Sequence, residues 1–479
     1  MTTTESVYKR DKLILSALWS FICGVLLASL VNIPPLVCVL GVVVALAIYY
    51  ADKQIIIPLI LCGLALGAFR YDIKDFHELM PAGSRGIIVS EPEHRDADTR
   101  FVVKTDTGEK VLVSADLLSE VEYGDEVSLI GKAQIVKGDY GWYLSKDDIF
   151  YTMSFAKVSV ISRDHGNPVR RTLLNIKSAF VEKMRHILPE PESSLLAGLV
   201  VSGKQALSSS ILSDFRRAGV VHIVVLSGYN ITIIAEFFLL IFGFLGQRKA
   251  AGISALGIVL FTLMSGATAT VVRAAIMVLL LLLGKVLGRS GSAPRILLFT
   301  AVLMLLENPK ILVFDPSFEL SFLAMLALIY GVPIVEKYLS KIPEKFGIRT
   351  LLATTLATQI VVLPFLLYNM GNFSTVFLLS NLLILLVIPF TMLIGFVATL
   401  LASISSVLAW PLAFLSHILL GWILFVANFL GNLPFAMIQI ENFPLWGTLV
   451  LYAGLAATVW RLSLPAQSGS SARLIASSN

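Results

Sequence analysis

The chain has 479 residues and a formal net charge of +5, with 56% hydrophobic residues, 14% charged and a mean hydropathy of +0.83. Soluble domains carry roughly 25% charged residues, so an ordinary globular protein is excluded. Apolar runs long enough to cross a hydrocarbon core of about 30 Å recur along the chain, which makes it a polytopic membrane protein.

Three spans open the chain, at 13–31, 36–50 and 55–71. The first lacks an A-x-A-like cleavage site and two more runs follow closely, so it reads as an uncleaved anchor. Cys23, Cys38 and Cys62 all sit in these runs without a CxxC pair. They read as packing residues rather than disulfides or metal ligands.

The polar insert that follows, 72–168, has a different pattern. Alternating runs at 86–90, 100–105, 110–114, 126–132 and 155–161 read as strands, separated by turn signals such as Thr107-Gly108 and Tyr123-Gly124-Asp125. Five strands in so short a segment predict a small β-barrel of the OB type, a fold that often handles oligonucleotides. Residues 72–171 carry 13 Lys and Arg against 18 Asp and Glu, net −5, whereas a nucleic-acid footprint is normally basic. Phe101, Tyr140, Trp142 and Tyr143 are candidates for stacking on bases. The competing reading is core or hairpin packing.

Two amphipathic helices are predicted within 169–218, at 172–188 and 208–218, and both read as surface helices. Arg216 and Arg217 end the second of them, just before the polar span that follows, where they could gather a polyanion. Nine further spans follow, at 220–243, 250–265, 268–287, 294–306, 317–333, 350–369, 375–401, 405–430 and 444–461. Lys9, Arg10 and Lys12 place the N-terminus in the cytoplasm by the positive-inside rule. Alternation across twelve spans then groups Arg248, Lys249, Lys285, Arg289, Arg295, Lys337, Lys341, Lys345 and Arg349 on the cytoplasmic side. It also puts both termini there and the β-insert outside. The second group of spans forms a unit at 219–465, with 466–479 a disordered cytoplasmic tail. The fold class is therefore an α-helical polytopic membrane protein of about twelve spans with an inserted extracytoplasmic all-β OB-like barrel.

Polar groups inside spans are costly and mark pathways or sites. The run 218–234, AGVVHIVVLSGYNITII, carries His222, Ser227, Gly228 and Asn230. Polar residues on two helix faces with a glycine between them favour a broken or re-entrant helix, whose N-terminus would offer free N–H groups to an anion. A small-residue packing notch is the alternative. Arg273 is the one cation well inside a predicted span. It either attracts an anion or clamps the bundle by pairing with Glu236 or Glu319. Ser265, Gly266, Thr268 and Thr270 allow close helix approach and polar lining ahead of it. Asp315 and Glu319 read as structural, Asp315 as the cap of the following helix and Glu319 as a partner for a cation. Gln359, Asn381 and Asn428 are candidates for hydrogen bonds between helices.

Several motifs together resemble the ComEC competence family. Residues 195–203 (LLAGLVVSG) and 214–230 (DFRRAGVVHIVVLSGYN) are similar to its hallmark G-L-x-H-L-x-x-x-S-G-x-H pattern. In the same order follow 265–277 (SGATATVVRAAIM), 315–322 (DPSFELSF), 364–374 (PFLLYNMGNFS) and 380–389 (SNLLILLVIP). Two departures stand out. Asn230 replaces a frequent histidine, and the six histidines are scattered without the HxHxDH cluster of the metallo-β-lactamase-like nuclease found in larger relatives.

The resemblance implies a channel of the bacterial inner membrane that imports single-stranded DNA during natural transformation. It implies as partners an external DNA receptor, a cytoplasmic helicase-like ATPase and single-strand-binding proteins, and a homo-oligomer is compatible with it. No catalytic residue, metal or cofactor is expected, and no Walker-type GxxxxGK[ST] sequence is present. A secondary transporter or lipid-linked precursor flippase is the alternative. It would call for coupling carboxylates at mid-membrane, of which Glu236 is the only strong candidate, and an internal repeat.

Overall fold

A computed structural model describes residues 3–53, 55–75, 83–95, 97–201, 207–224, 228–288, 291–344 and 347–463. The chain begins with three apolar helices, α1 (Thr3–Leu30), α2 (Pro35–Asp52) and α3 (Ile56–Asp75). α1 and α3 pack backbone to backbone, and a Cβ on Gly67 would lie 2.2 Å from the Phe21 carbonyl oxygen. Only glycine permits that approach.

The insert is a closed barrel. Its elements are β1 (Arg85–Ile88), β2 (Glu93–His94), β3 (Thr99–Thr105), β4 (Lys110–Ala115), β5 (Glu126–Ile130), β6 (Gln134–Ile135), α4 (Gly138–Ser145) and β7 (Ile149–Ser162). Strand order is β1-β5-β7-β4-β3-β2, and β1 also pairs with β3, which closes the ring. β4 and β7 run parallel, and every other pairing in this sheet is antiparallel. The period-two reading of the sequence becomes strict alternation of buried and half-buried residues in β4. Phe101 lies opposite Val113, and Val103 opposite Val111, with Ile88, Val127 and Met153 completing the core.

Phe101 is 1% exposed, so it fills the barrel and has no free face for a base. Phe101→Ala is expected to cost the barrel about 3–5 kcal/mol. Faster proteolysis within 85–162 in detergent-solubilised protein, with the helical core still resistant, checks this.

Beyond the barrel come α5 (Pro168–Ile187), α6 (Glu192–Val201), α7 (Ser209–Arg217), α8 (Val221–Val224) and α9 (Gly228–Phe242). Then follow α10 (Gln247–Met264), α11 (Ala269–Val286), α12 (Ala293–Glu307) and the one-turn α13 (Ile311–Phe314). α14 (Pro316–Leu326) passes through a π-helical turn (Ala327–Gly331) into α15 (Val332–Tyr338), and α16 (Ile348–Met370) returns beside them. The chain closes with β8 (Asn372–Ser374), α17 (Phe377–Leu385), α18 (Ile388–Ala402), α19 (Ser406–Gly431), β9 (Met437–Gln439) and α20 (Leu445–Ser463).

Among the described residues seven helical runs are long and apolar enough to cross a membrane, or eight if α17 and α18, bent by 42°, form one span. The other expected spans fall on α9, α10, α12 and α20, which are shorter or more polar. The run 375–401, read from sequence as one helix, is divided where Pro389 enters the first turn of α18. Short connections make neighbouring helices antiparallel, so the bundle has a barrel end and a far end. Arg70 at the end of α3 donates to the Leu306 and Glu307 carbonyls at the end of α12, which fixes both at the barrel end.

Candidate functional site

Arg273 is the fifth residue of α11, which puts it about one turn in from the barrel end. Its side chain is buried at 6% exposure, and Nη1 donates to the Ser321 carbonyl of α14 at 3.1 Å. Arg273 Nε and Ser321 Oγ are both buried without a hydrogen-bond partner. Gly228 opens α9 directly against this guanidinium, since a Cβ there would sit 2.9 Å from Nη2. A helix N-terminus carries a partial positive charge. Placed beside a cation, it raises the local potential, and an anion is the group that relieves it.

The expected partners of Arg273 do not meet it. Among the described residues neither Glu236 nor Glu319 forms an ion pair with it. Glu236 lies two turns further along α9, on an exposed face. Glu319 is two residues from Ser321, so at 100° per residue it points away from the side of α14 that faces α11.

Asn230 is buried, and its Nδ2 donates to the Leu199 carbonyl at 3.0 Å, tying α9 to α6. His222 is exposed on α8, while Ser227 lies outside the described residues. Ser265 ends α10 with its Oγ donating to the Thr262 carbonyl at 3.0 Å, and Thr270 is half-buried in the first turn of α11. The site thus joins Gly228 to Arg273, while Asn230, two residues on, turns to α6, and Ser265 and Thr270 lie near the barrel end of α10 and α11. Gly228→Val is expected to push the guanidinium off its seat against α9. A lower melting temperature of the detergent-solubilised variant than of the wild type checks it.

Arg216 and Arg217 are exposed at the end of α7, and Arg217 Nη1 donates to Asn432 Oδ1 at 3.3 Å. Asn428 Nδ2 donates to Asp214 Oδ2 at 2.8 Å, so α7 rests on the barrel-end tip of α19.

The barrel docks on the bundle through contacts that sequence reading missed. Lys146, just past α4, pairs with Asp315 at 3.0 Å, their side chains 11% and 4% exposed. Burial lowers the Lys146 ammonium, but Asp147 and Asp315 outweigh it and hold its pKa above the ordinary value. Asp315 Oδ1 also accepts from Ser317 N at 3.0 Å and caps α14. Asn308 Nδ2 donates to the Lys146 carbonyl at 2.7 Å, and Trp142 stacks on Phe314 at 5.2 Å. Lys310 pairs with Asp75 at 2.8 Å, and Lys74 with Asp148 at 2.7 Å. Trp142 is thus engaged in docking, while Tyr140 and Tyr143 stack on each other at 6.4 Å.

Comparison with known proteins adds an independent result. A family model described as Competence protein matches residues 199–465. The chain is also similar to ComE operon protein 3 of Bacillus subtilis (strain 168), 25% identical over 274 residues, covering 56% of this chain and 34% of that relative. The match therefore takes in about a third of the relative's length. No solved structure matches. With Gly228, Asn230, Arg273 and the Asp315 block all inside the matched segment, the chain belongs to the competence protein family, the ComEC family that its motifs resemble.

Proposed function

We propose that this protein is a channel of the bacterial cytoplasmic membrane that carries single-stranded DNA inward during natural transformation. The observation that carries the reading is Arg273, a buried guanidinium with a free Nε, set against the N-terminus of α9 without a carboxylate partner among the described residues. A DNA strand has one phosphate charge per nucleotide, and hydrocarbon excludes it. A polar path with a fixed cation and helix N–H groups is what such a strand requires.

In this reading Arg216 and Arg217 collect the strand at the mouth, Ser265 and Thr270 edge the path, and Arg273 holds phosphates in passing. His222, Gly228 and Asn230 belong to the same path, and Ser227, outside the described residues, is assigned to it from the sequence alone. The barrel end faces outward and both termini face the cytoplasm. The chain catalyses no reaction and needs no cofactor, so the inward force comes from partners. These are an external DNA receptor, a cytoplasmic helicase-like ATPase and single-strand-binding proteins, and a homo-oligomer fits the same scheme.

The test is uptake of labelled DNA in a deletion strain, scoring externally bound and internalised label separately. DNA held outside but not imported supports the channel. Normal import without the gene overturns it and favours the transporter or flippase.

A further inference from the structure

α5 has a strongly unbalanced charge. Its sequence, PVRRTLLNIKSAFVEKMRHI, holds five Lys or Arg against one Glu. Its first half belongs to the barrel. Arg170 Nη1 donates to the Val89 carbonyl at 3.0 Å, and Lys177 pairs with Glu91 at 2.8 Å. Ile187 lies ten residues beyond Lys177, about 15 Å further along the helix axis.

What happens at that depth is fixed by three contacts. Glu192, the first residue of α6, lies 3.3 Å from His417 Nδ1, and His417 is the twelfth of 26 residues in α19. α19 is about 39 Å long, so the turn between α5 and α6 meets the middle of a spanning helix. Leu196 packs into the notch at Gly395, where a Cβ would lie 2.4 Å from Leu196 Cδ1. The Leu199 carbonyl then accepts from Asn230. α6 is climbing back toward the barrel end, where α7 rests on the tip of α19. α5 and α6 form a re-entrant pair.

One face of α5 is committed to packing. Met184 and Leu188 are buried in the central core, and the Phe180 ring lies 5.6 Å from that of Phe396. The opposite face exposes Glu182, Lys183, Arg185 and His186. Among the described residues only loose contacts occur there, His186 to Glu182 at 3.8 Å and Arg185 to Glu190 at 3.7 Å. Lys183 has no ion pair among the described residues. Charged side chains at such depth do not face lipid. They face water.

We infer that the α5–α6 pair lines an aqueous recess reaching the middle of the membrane, where Lys183 and Arg185 hold the phosphodiester backbone of a single-stranded polynucleotide. The occupant follows from charge complementarity with a helix of such cationic excess, and it rests on the proposed function. A basic amphipathic helix lying on anionic lipid is the competing arrangement. It would leave the turn at the membrane surface rather than against His417.

Cysteine accessibility decides between them. In a chain with Cys23, Cys38 and Cys62 replaced by serine, Glu182→Cys and His186→Cys are compared with Ile418→Cys, exposed on α19 next to His417. Sealed vesicles are treated with a small membrane-impermeant methanethiosulfonate, or with a maleimide carrying a bulky polyethylene glycol. The recess predicts fast reaction with the small reagent at 182 and 186, little at 418, and exclusion of the bulky one. Reaction as slow as at 418, or equal rates with both reagents, overturns it.

Single-stranded oligothymidylate should slow modification at 182 and 186. In the unmodified background, Lys183→Gln/Arg185→Gln should reduce the log–log salt slope of oligothymidylate binding by about 0.7 for each phosphate no longer neutralised. No protection and an unchanged slope overturn the polynucleotide contact, even where import is normal. Absence of import by the wild type overturns the channel and leaves the recess standing.

Discussion

Arg273→Ala is expected to cut internalised DNA roughly ten- to a hundredfold while externally bound DNA and protein abundance stay at wild-type levels. A hydrogen bond to a charged group contributes about 1.5–3 kcal/mol, and each 1.4 kcal/mol is about a factor of ten. Folding has little at stake in this side chain. It makes one hydrogen bond, to a helix carbonyl, and lies beside the positive end of α9. Arg273→Lys keeps the charge but not the planar fork, and import should fall between the two. If abundance drops in parallel with uptake for both variants, Arg273 is a clamp and not part of the path.

Asp315→Ala should do the opposite, damaging the assembly before it touches transport. The carboxylate is nearly fully buried and neutralises Lys146. Removing one member of a buried pair typically costs about 3–5 kcal/mol, and the exposed Asp147, 3.3 Å from Lys146, offsets only part of that here. The barrel should then detach from the outer surface of α13 and α14 and become the first part cut in limited proteolysis. Lys146→Met in the same chain should restore much of the resistance, since no orphaned charge remains. Equal proteolysis of the wild type and the Asp315→Ala variant would show that the pair contributes nothing.

The pH dependence of docking follows from the raised ammonium. Its contribution is fully present below the unfolded lysine value of 10.5, and it is lost as pH rises through the higher folded value. Docking should therefore be constant across neutral pH and loosen only in strong alkali.

The barrel was legible in the sequence because its signal is local. The strand at 100–105 alternates buried and open side chains regardless of the rest of the chain, and the structure places β3 there. The docking role of α4 was not legible, because Trp142 finds its partner in Phe314 of the bundle. The spans were legible as apolar runs, but their rotation was not. Opposite charges left a pair of Arg273 with Glu236 or Glu319 open, yet the helix phase of α14 offers the Ser321 carbonyl and turns Glu319 aside. The pairing of Lys146 with Asp315 joins positions 169 residues apart, a distance at which no spacing rule operates. For the same reason α5 read as a helix lying on the surface, since its amphipathic pattern says which face is apolar but not what covers it.

β8 and β9 form a two-stranded antiparallel sheet, Asn372 opposite Gln439 and Ser374 opposite Met437. The backbone ladder extends past both ends, through Thr375 N to the Ala436 carbonyl and Ile440 N to the Gly371 carbonyl. Four helices, α16, α17, α19 and α20, are thus stapled at one rim like staves under a hoop. None of their tips can swing out alone without stripping a row of hydrogen bonds. In the proposed channel, widening of the mouth is left to the unhooped arc, where α9 and α11 bring Gly228 against Arg273.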